Sequence, residues 1–173
     1  MYQGESQVED IVKAAKVSVF FIDDRQTIRP DDEGTVSRIR EVCAKYGSEV
    51  QMVELKAQFR CSGADGYLNW VDHTLQIADT GNYDGWDQGL EFDYVGVIIG
   101  NDMKFDPETM EIYADYDNYY DSSGKKGLKD QRSRLTTYVK NIYRVLLSRG
   151  MKGCYVYCVD KDLQNYMKQR AAG

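Results

Sequence analysis

Four short polar segments carry the residue types that could do chemistry, and each stands at the end of an apolar run or a helical pattern. They are Asp23-Asp-Arg-Gln26, Leu55-Lys-Ala-Gln-Phe-Arg60, Gln88-Gly89-Leu-Glu91 and Leu147-Ser-Arg149-Gly150. Arg60 closes the second segment and Arg149 lies in the fourth, and a guanidinium group can offset the negative charge that develops when a phosphoryl group is transferred. Arg60 and Arg149 are therefore candidate catalytic residues.

A second pattern permits a different chemistry. Pro30-Asp31 followed by Glu54-Leu-Lys56 matches the Pro-Asp…Glu-x-Lys pattern of nucleases, in which two carboxylates hold Mg²⁺ and the lysine helps to activate water. The pattern is permissive, and Glu54 to Lys56 overlaps the segment that ends at Arg60. A Mg²⁺-dependent nuclease therefore remains an alternative function.

Charge is distributed unevenly along the chain. The formal net charge of −6 is unusual for a nucleic-acid-binding domain, but residues 125–152 contain nine Lys or Arg and one acid, and the remainder carries −14. This segment is a candidate surface for single-stranded DNA or RNA, although a charge run is also typical of a solvated helix face. The candidate nucleic-acid-binding residues are Lys125, Lys126, Lys129, Arg132, Arg134, Lys140 and Arg144.

The cysteines and the single histidine do not predict a metal site. Zinc sites pair their ligands at spacings of two to four residues, and here no second such pair accompanies Cys154 and Cys158. These two thiols lie four residues apart in an apolar run, so a strand would place both on one face. We expect them to be buried free thiols and His73 to have a structural or surface role.

Strand and helix patterns alternate along the chain. Apolar, β-branched runs predict strands near residues 17–23, 50–56, 93–99 and 154–159, and helical periodicity predicts helices over 7–15, 33–46, 66–78 and 129–148. This alternation indicates an α/β layer architecture with a mostly parallel sheet, in which ligands bind at the carboxyl ends of the strands. The length of 173 residues fits one domain. We therefore expect the polar segments to meet at that edge of one domain.

The stretch Asn101 to Gly124 interrupts the alternation, because it is acidic, rich in tyrosine and closed by Ser-Ser-Gly. We interpret it as a long excursion that could include a hairpin. An EF-hand is excluded because that calcium loop would need Gly at Tyr120 and Glu at Lys126. The tyrosines also permit a third function, a protein-interaction module. Its aromatic contacts would be Tyr113, Tyr116, Tyr119 and Tyr120.

The order of the four polar segments resembles the motif order of superfamily-one helicases. The sequences QFRCSGADGYLNW, QGLEFDYVGVIIG and YRVLLSRGMKGCYVYC are similar to the bacterial Schlafen group 3 type DNA/RNA helicase-domain family, and the resemblance covers about Val17 to Tyr166. It implies a three-layer, RecA-like lobe of the P-loop NTPase type. It also implies that Asp23 and Gln26 sense the γ-phosphate of ATP and that Arg60 contacts this phosphate. Gly89 and Glu91 would approach the nucleotide and the nucleic acid. Arg149 would be an arginine finger.

Two departures from that family shape the expected function. The phosphate-binding loop Gly-x-x-x-x-Gly-Lys-Ser/Thr and the Mg²⁺-binding strand would lie upstream of Val17, where this sequence has sixteen residues. The family also has a longer stretch where this chain has only Asp79 to Asp87, a Gly- and Asp-rich joint. We therefore expect a second lobe that binds ATP and Mg²⁺ only with a first lobe, and that cannot hydrolyse ATP alone. With no membrane-spanning run in the sequence, we expect a cytoplasmic location.

Overall fold

The computed structural model describes residues 6–22, 35–53, 65–80 and 92–172, and the chain divides into two compact units, Met1–Leu55 and Lys56–Gly173. Five helices and four strands form within the described residues. In chain order these are α1 (Gln7–Ala14), α2 (Val36–Lys45), α3 (Asp65–Thr74), β1 (Phe92–Ile99), β2 (Met103–Asp106), β3 (Glu111–Ala114), α4 (Arg132–Leu147), β4 (Gly150–Cys158) and α5 (Lys161–Ala172). None of these helices is long and apolar enough to cross a membrane.

The first unit contains α1 and α2, and each helix begins at a capping hydroxyl group. Ser6 Oγ accepts a hydrogen bond from the backbone N–H of Glu9 at 3.3 Å. Thr35 Oγ1 accepts one from the backbone N–H of Arg38 at 3.2 Å. These bonds satisfy amide donors that have no partner within the helix. The two helices share a small apolar cluster of Val8, Ile39, Val42 and Cys43.

The second unit is built on a parallel pair of strands, β1 and β4. Val97 lies opposite Val156 and Ile99 lies opposite Cys158, so one face of the sheet contributes to the core. Buried side chains from α3, α4 and α5 complete this core, among them Val71, Leu135, Val139, Leu147 and Leu163. The mixed α/β class and the parallel pairing are therefore confirmed.

The strands predicted near 17–23 and 50–56 are wrong for the parts that the structure describes. Residues 17–22 and 50–53 form no strand, and Val17, Val19 and Phe21 are 80%, 73% and 82% exposed. Alternating apolar residues indicate only that one face of a segment is apolar. A strand also needs a neighbour whose backbone groups pair with its own.

The excursion contains an antiparallel hairpin formed by β2 and β3, as the sequence suggested. Gln76, just after α3, holds the hairpin: its side-chain amide donates to the Met110 carbonyl and accepts from the Ile112 N–H, both at 2.8 Å. Thr136 Oγ1 on α4 accepts from the Ala114 N–H at 3.0 Å. The hairpin is therefore attached to α4 and to the end of α3 through backbone groups that would otherwise lack partners.

The ion pair between Lys104 and Asp115 predicts a pH-dependent contribution to stability. Lys104 Nζ lies 2.6 Å from Asp115 Oδ2, and this hydrogen bond, assisted by Asn118, lowers the pKa of Asp115 to about 2. A lowered carboxyl pKa stabilises the fold above the unfolded-state pKa of about 3.9, and the contribution is lost as the pH falls through about 2.

The variant Asp115→Asn should therefore be less stable than the wild type by about 1 kcal/mol at neutral pH, since solvent screens this partly exposed pair. The difference should shrink between about pH 4 and pH 2. Urea unfolding across this range measures it, with Asp117→Asn as the control because Asp117 is exposed in the same turn. A difference in stability between wild type and Asp115→Asn that stays constant with pH would contradict the lowered pKa of Asp115.

Candidate functional site

Arg149 occupies the short turn between α4 and β4. Its backbone N–H donates to the Leu146 carbonyl at 3.3 Å, and its own carbonyl accepts a hydrogen bond from the Phe92 N–H at 3.2 Å. The following residue must be small, because a Cβ atom on Gly150 would lie 2.5 Å from the Gly153 carbonyl oxygen. The Arg-Gly pair thus ends the helix and starts the strand beside the first residue of β1.

This position corrects one expectation about the site. We expected the functional segments at the carboxyl ends of the strands, but Arg149 lies at the amino end of β4, because the chain enters the strand directly from the end of α4. Phe92, which pairs with Gly150, directly follows Glu91 in the chain. Arg149 is therefore close to the first residue after the Gln88–Glu91 segment.

The other residues predicted for the ATP site and those of the nuclease alternative lie outside the described residues. For the ATP site these are Asp23, Gln26, Arg60, Gly89 and Glu91. For the nuclease alternative they are Pro30, Asp31, Glu54 and Lys56. Both sets therefore stay predictions.

The basic segment separates into an exposed and a buried part. The exposed side chains, which we name the basic cluster, follow one another in the loop before α4 and at its start. They are Lys126, Lys129, Arg132 and Arg134. Lys125 and Lys140 are half-buried, and burial lowers the pKa of Lys140. The basic cluster is thus a continuous stretch of this segment that solvent and a polyanion can reach.

Arg144 is placed differently from the basic cluster. It is 6% exposed and forms a two-point ion pair with Asp72 of α3, which is fully buried. Nη2 of Arg144 lies 3.3 Å from Oδ2 of Asp72, and Nε bonds the other carboxylate oxygen. A guanidinium held in this way joins two helices and does not reach a phosphate backbone at the surface.

The four tyrosines of the excursion also differ from one another. Tyr119 is buried in the core, whereas Tyr120 is 85% exposed. The Arg132 guanidinium carbon lies 4.0 Å from the ring centroid of Tyr113, and Lys125 Nζ lies 4.7 Å from that of Tyr116. Cations at these distances are attracted to the faces of the rings. The sequence did not predict these pairs, because residues of the excursion and of the basic segment meet only in the folded chain.

The carboxyl edge of the sheet carries a polar group that the sequence did not identify. The Tyr143 hydroxyl on α4 donates to Asp102 Oδ1 at 2.8 Å and accepts from the Gly100 N–H at 3.1 Å. Burial raises the pKa of Tyr143 above its usual range. Since its hydrogen bonds fix the turn between β1 and β2, we assign this tyrosine a structural role.

The thiols of β4 follow the period of the strand. Cys158 is buried and Cys154 is half-buried, both next to the core, and both are free thiols. Burial raises the pKa of Cys158 to about 11 and also raises that of Cys154, so both are poor nucleophiles. His73 Nδ1 lies 3.3 Å from Asp79 Oδ1. Among the described residues, no group of three or more His, Cys, Asp and Glu could hold a metal ion.

The sequence matches the family model described as "Schlafen group 3, DNA/RNA helicase domain" over residues 1–87 and 86–160. The chain belongs to this family. The two matched segments meet at residues 86–87, inside the stretch 79–87 where we expect a shortened joint. Membership of the Schlafen group 3 helicase-domain family supports a helicase-like domain.

A comparison with curated proteins gives one partial relative of this Schlafen group 3 chain. It is 32% identical over 80 residues to the uncharacterized protein YPL245W of Saccharomyces cerevisiae. The aligned segment covers 44% of this chain and 18% of the yeast protein. No solved structure matches the chain.

Proposed function

We propose that this chain is the second, RecA-like lobe of a superfamily-one helicase-type ATPase and that Arg149 is its arginine finger. In this proposal Gln26 and Arg60 contact the γ-phosphate of ATP, and Asp23, Gly89 and Glu91 complete this lobe's share of the nucleotide site. In this proposal the parallel pair of β1 and β4 belongs to the three-layer lobe that the family resemblance implies.

ATP and Mg²⁺ would be held mainly by a partner lobe. The 173 residues contain no Gly-x-x-x-x-Gly-Lys-Ser/Thr loop, whose backbone amides and lysine cradle the phosphates in this class of enzyme. This chain would then contribute positive charge that acts once the nucleotide is in place.

The observation that carries the proposal is the position of Arg149 in a member of a helicase-domain family. It stands in a tight turn, fixed by two backbone hydrogen bonds and by the required Gly150, beside the start of β1. Its side chain is half-buried. A planar guanidinium carried on such a fixed turn is suited to meet phosphate oxygens, because its backbone position need not be ordered on binding.

The basic cluster supports the second half of the proposal, the binding of single-stranded DNA or RNA. Cations that neutralise phosphates release condensed counterions, and each contact contributes about −0.7 to the slope of log K against log salt for single strands. Four contacts should give a slope of about −2.8, which weakens binding about fiftyfold between about 50 and 200 mM salt.

Fluorescence anisotropy with a labelled single-stranded oligonucleotide tests this half. Replacing Lys126, Lys129, Arg132 and Arg134 together with glutamine should flatten the salt slope by about 2.8. The matched control replaces four exposed lysines outside the cluster, which removes the same charge from other surfaces. These are Lys16, Lys152, Lys161 and Lys168. No binding at low salt, or an equal effect of the two variants, would remove the basic cluster from the function.

A further inference from the structure

A cleft of about 240 Å³ lies between the end of the hairpin and the start of α4. Its polar lining consists of Tyr113, Asp115, Tyr116, Lys129 and Arg132, and its apolar lining includes the buried Leu128 and Leu135. Tyr113 lies on β3 and Tyr116 lies two residues beyond the end of that strand, while both cations belong to the basic cluster. We name this site the tyrosine cleft.

The tyrosine cleft combines aromatic faces with positive charge. Arg132 lies over the ring of Tyr113, and Lys125 lies over that of Tyr116 and donates to its carbonyl at 3.3 Å. The one carboxylate in the lining, Asp115, is already bonded to Lys104 at 2.6 Å. The cleft therefore offers cations and rings, with its acidic group neutralised by a neighbouring lysine.

The size of the tyrosine cleft favours one unit of a polymer over a free ligand. Pockets that enclose a whole small molecule measure about 300–1,000 Å³, and this cleft is smaller and open to solvent. Proteins that bind single strands without sequence preference combine a cationic groove with aromatic rings on which bases stack. A single base with its phosphate therefore matches the chemistry of the cleft.

We propose that the tyrosine cleft takes one nucleotide of a single-stranded nucleic acid, with the base against the rings of Tyr113 and Tyr116 and the phosphate against Lys129 and Arg132. The inference rests on the proposed binding of single strands and adds a contact to the bases, which the basic cluster alone does not provide. Binding then depends on the presence of bases as well as on charge.

Anisotropy of the full chain at constant low salt tests this inference with two labelled probes of equal length. One is a single-stranded oligonucleotide, and the other is the same backbone without bases. One stacked base should make the first probe bind about 5- to 150-fold more tightly than the second. The double variant Tyr113→Leu/Tyr116→Leu should abolish this preference, and the ratio of the two affinities within one variant cancels any change in the backbone contacts that both probes share.

Two further variants separate stacking from folding. Tyr113→Phe/Tyr116→Phe keeps both rings and should keep the preference for bases. Tyr157→Leu removes an exposed ring from the outer face of β4 and should also keep it. Circular dichroism then shows whether each variant is folded; if the leucine pair does not fold, loss of the preference in Tyr116→Leu alone is the decisive result.

Each result has a distinct consequence. Equal affinity of the wild type for both probes overturns the proposal that the tyrosine cleft binds a base, but it leaves the proposed binding of single strands by the basic cluster intact. No binding of either probe overturns both. A preference that survives the loss of both rings, or a phosphotyrosine peptide that binds through Tyr113 and Tyr116 in place of the oligonucleotide, also overturns this assignment.

Discussion

Replacing Arg149 with alanine should reduce ATP turnover about 10³- to 10⁵-fold in a protein that joins this chain to a phosphate-binding lobe, which is the range that arginine fingers contribute in NTPases. The reason is electrostatic. The guanidinium stabilises charge that spreads over the γ-phosphate oxygens in the transition state, and alanine leaves that charge without a partner. Steady-state phosphate release measures the effect.

Lys152 supplies the matched control for this prediction. It is an exposed cation three residues further along, at the same end of β4, and it forms an ion pair with Asp93 at 2.9 Å. Lys152→Ala removes the same charge and should change turnover only slightly. In Arg149→Ala, the affinity for single-stranded DNA or RNA should change far less than the rate of ATP turnover does. A loss of turnover that is equal in the two variants would mean that Arg149 acts only through general charge.

Replacing Asp72 with alanine should destabilise the second unit by about 3–5 kcal/mol, because it leaves the Arg144 guanidinium buried without its carboxylate. The two residues connect α3 to α4, and both are almost inaccessible to solvent. Chemical denaturation followed by circular dichroism measures the free energy of unfolding.

The double variant Asp72→Leu/Arg144→Met should recover most of this loss, since apolar side chains of similar size remove both buried charges. The exposed pair between Asp93 and Lys152 serves as the control, and Asp93→Ala should change the free energy of unfolding only slightly, because solvent screens this pair. If Asp72→Ala lowers the free energy of unfolding no more than Asp93→Ala does, the ion pair with Asp72 does not hold Arg144. Arg144 would then again be a candidate nucleic-acid-binding residue.

Helices and the paired strands could be predicted because local patterns determine them. Apolar periodicity identified α1 to α4 to within a few residues, and β1 and β4 are apolar runs whose period of two placed Cys154 and Cys158 on the core side. The helix α5 was not predicted, although its signal is present. Asp160 caps it by accepting from the Leu163 N–H at 2.8 Å, and Leu163, Tyr166 and Met167 recur at helical spacing.

The contributions of individual cations were harder to predict. Charge along the sequence placed Arg144 with the nucleic-acid-binding residues, but the buried stripe of α4 runs through Leu135, Val139, Tyr143 and Leu147. Arg144 lies three residues before Leu147 of that stripe, and residues three apart share one face of a helix, so the helix turns Arg144 toward the core and α3. Asp72 is distant in the sequence, and no local pattern indicates that it supplies the partner charge. The pairing of the tyrosines with the basic cluster has the same non-local origin.

The measurement that tests the central claim most directly is phosphate release by this chain alone and by the chain joined to a phosphate-binding lobe, with and without single-stranded DNA or RNA. If the chain is a second lobe, it releases no phosphate from ATP by itself. The joined protein then hydrolyses ATP, and this hydrolysis requires Arg149. Robust turnover by the 173 residues alone, abolished by Arg149→Ala and thus not due to a contaminant, would contradict the account.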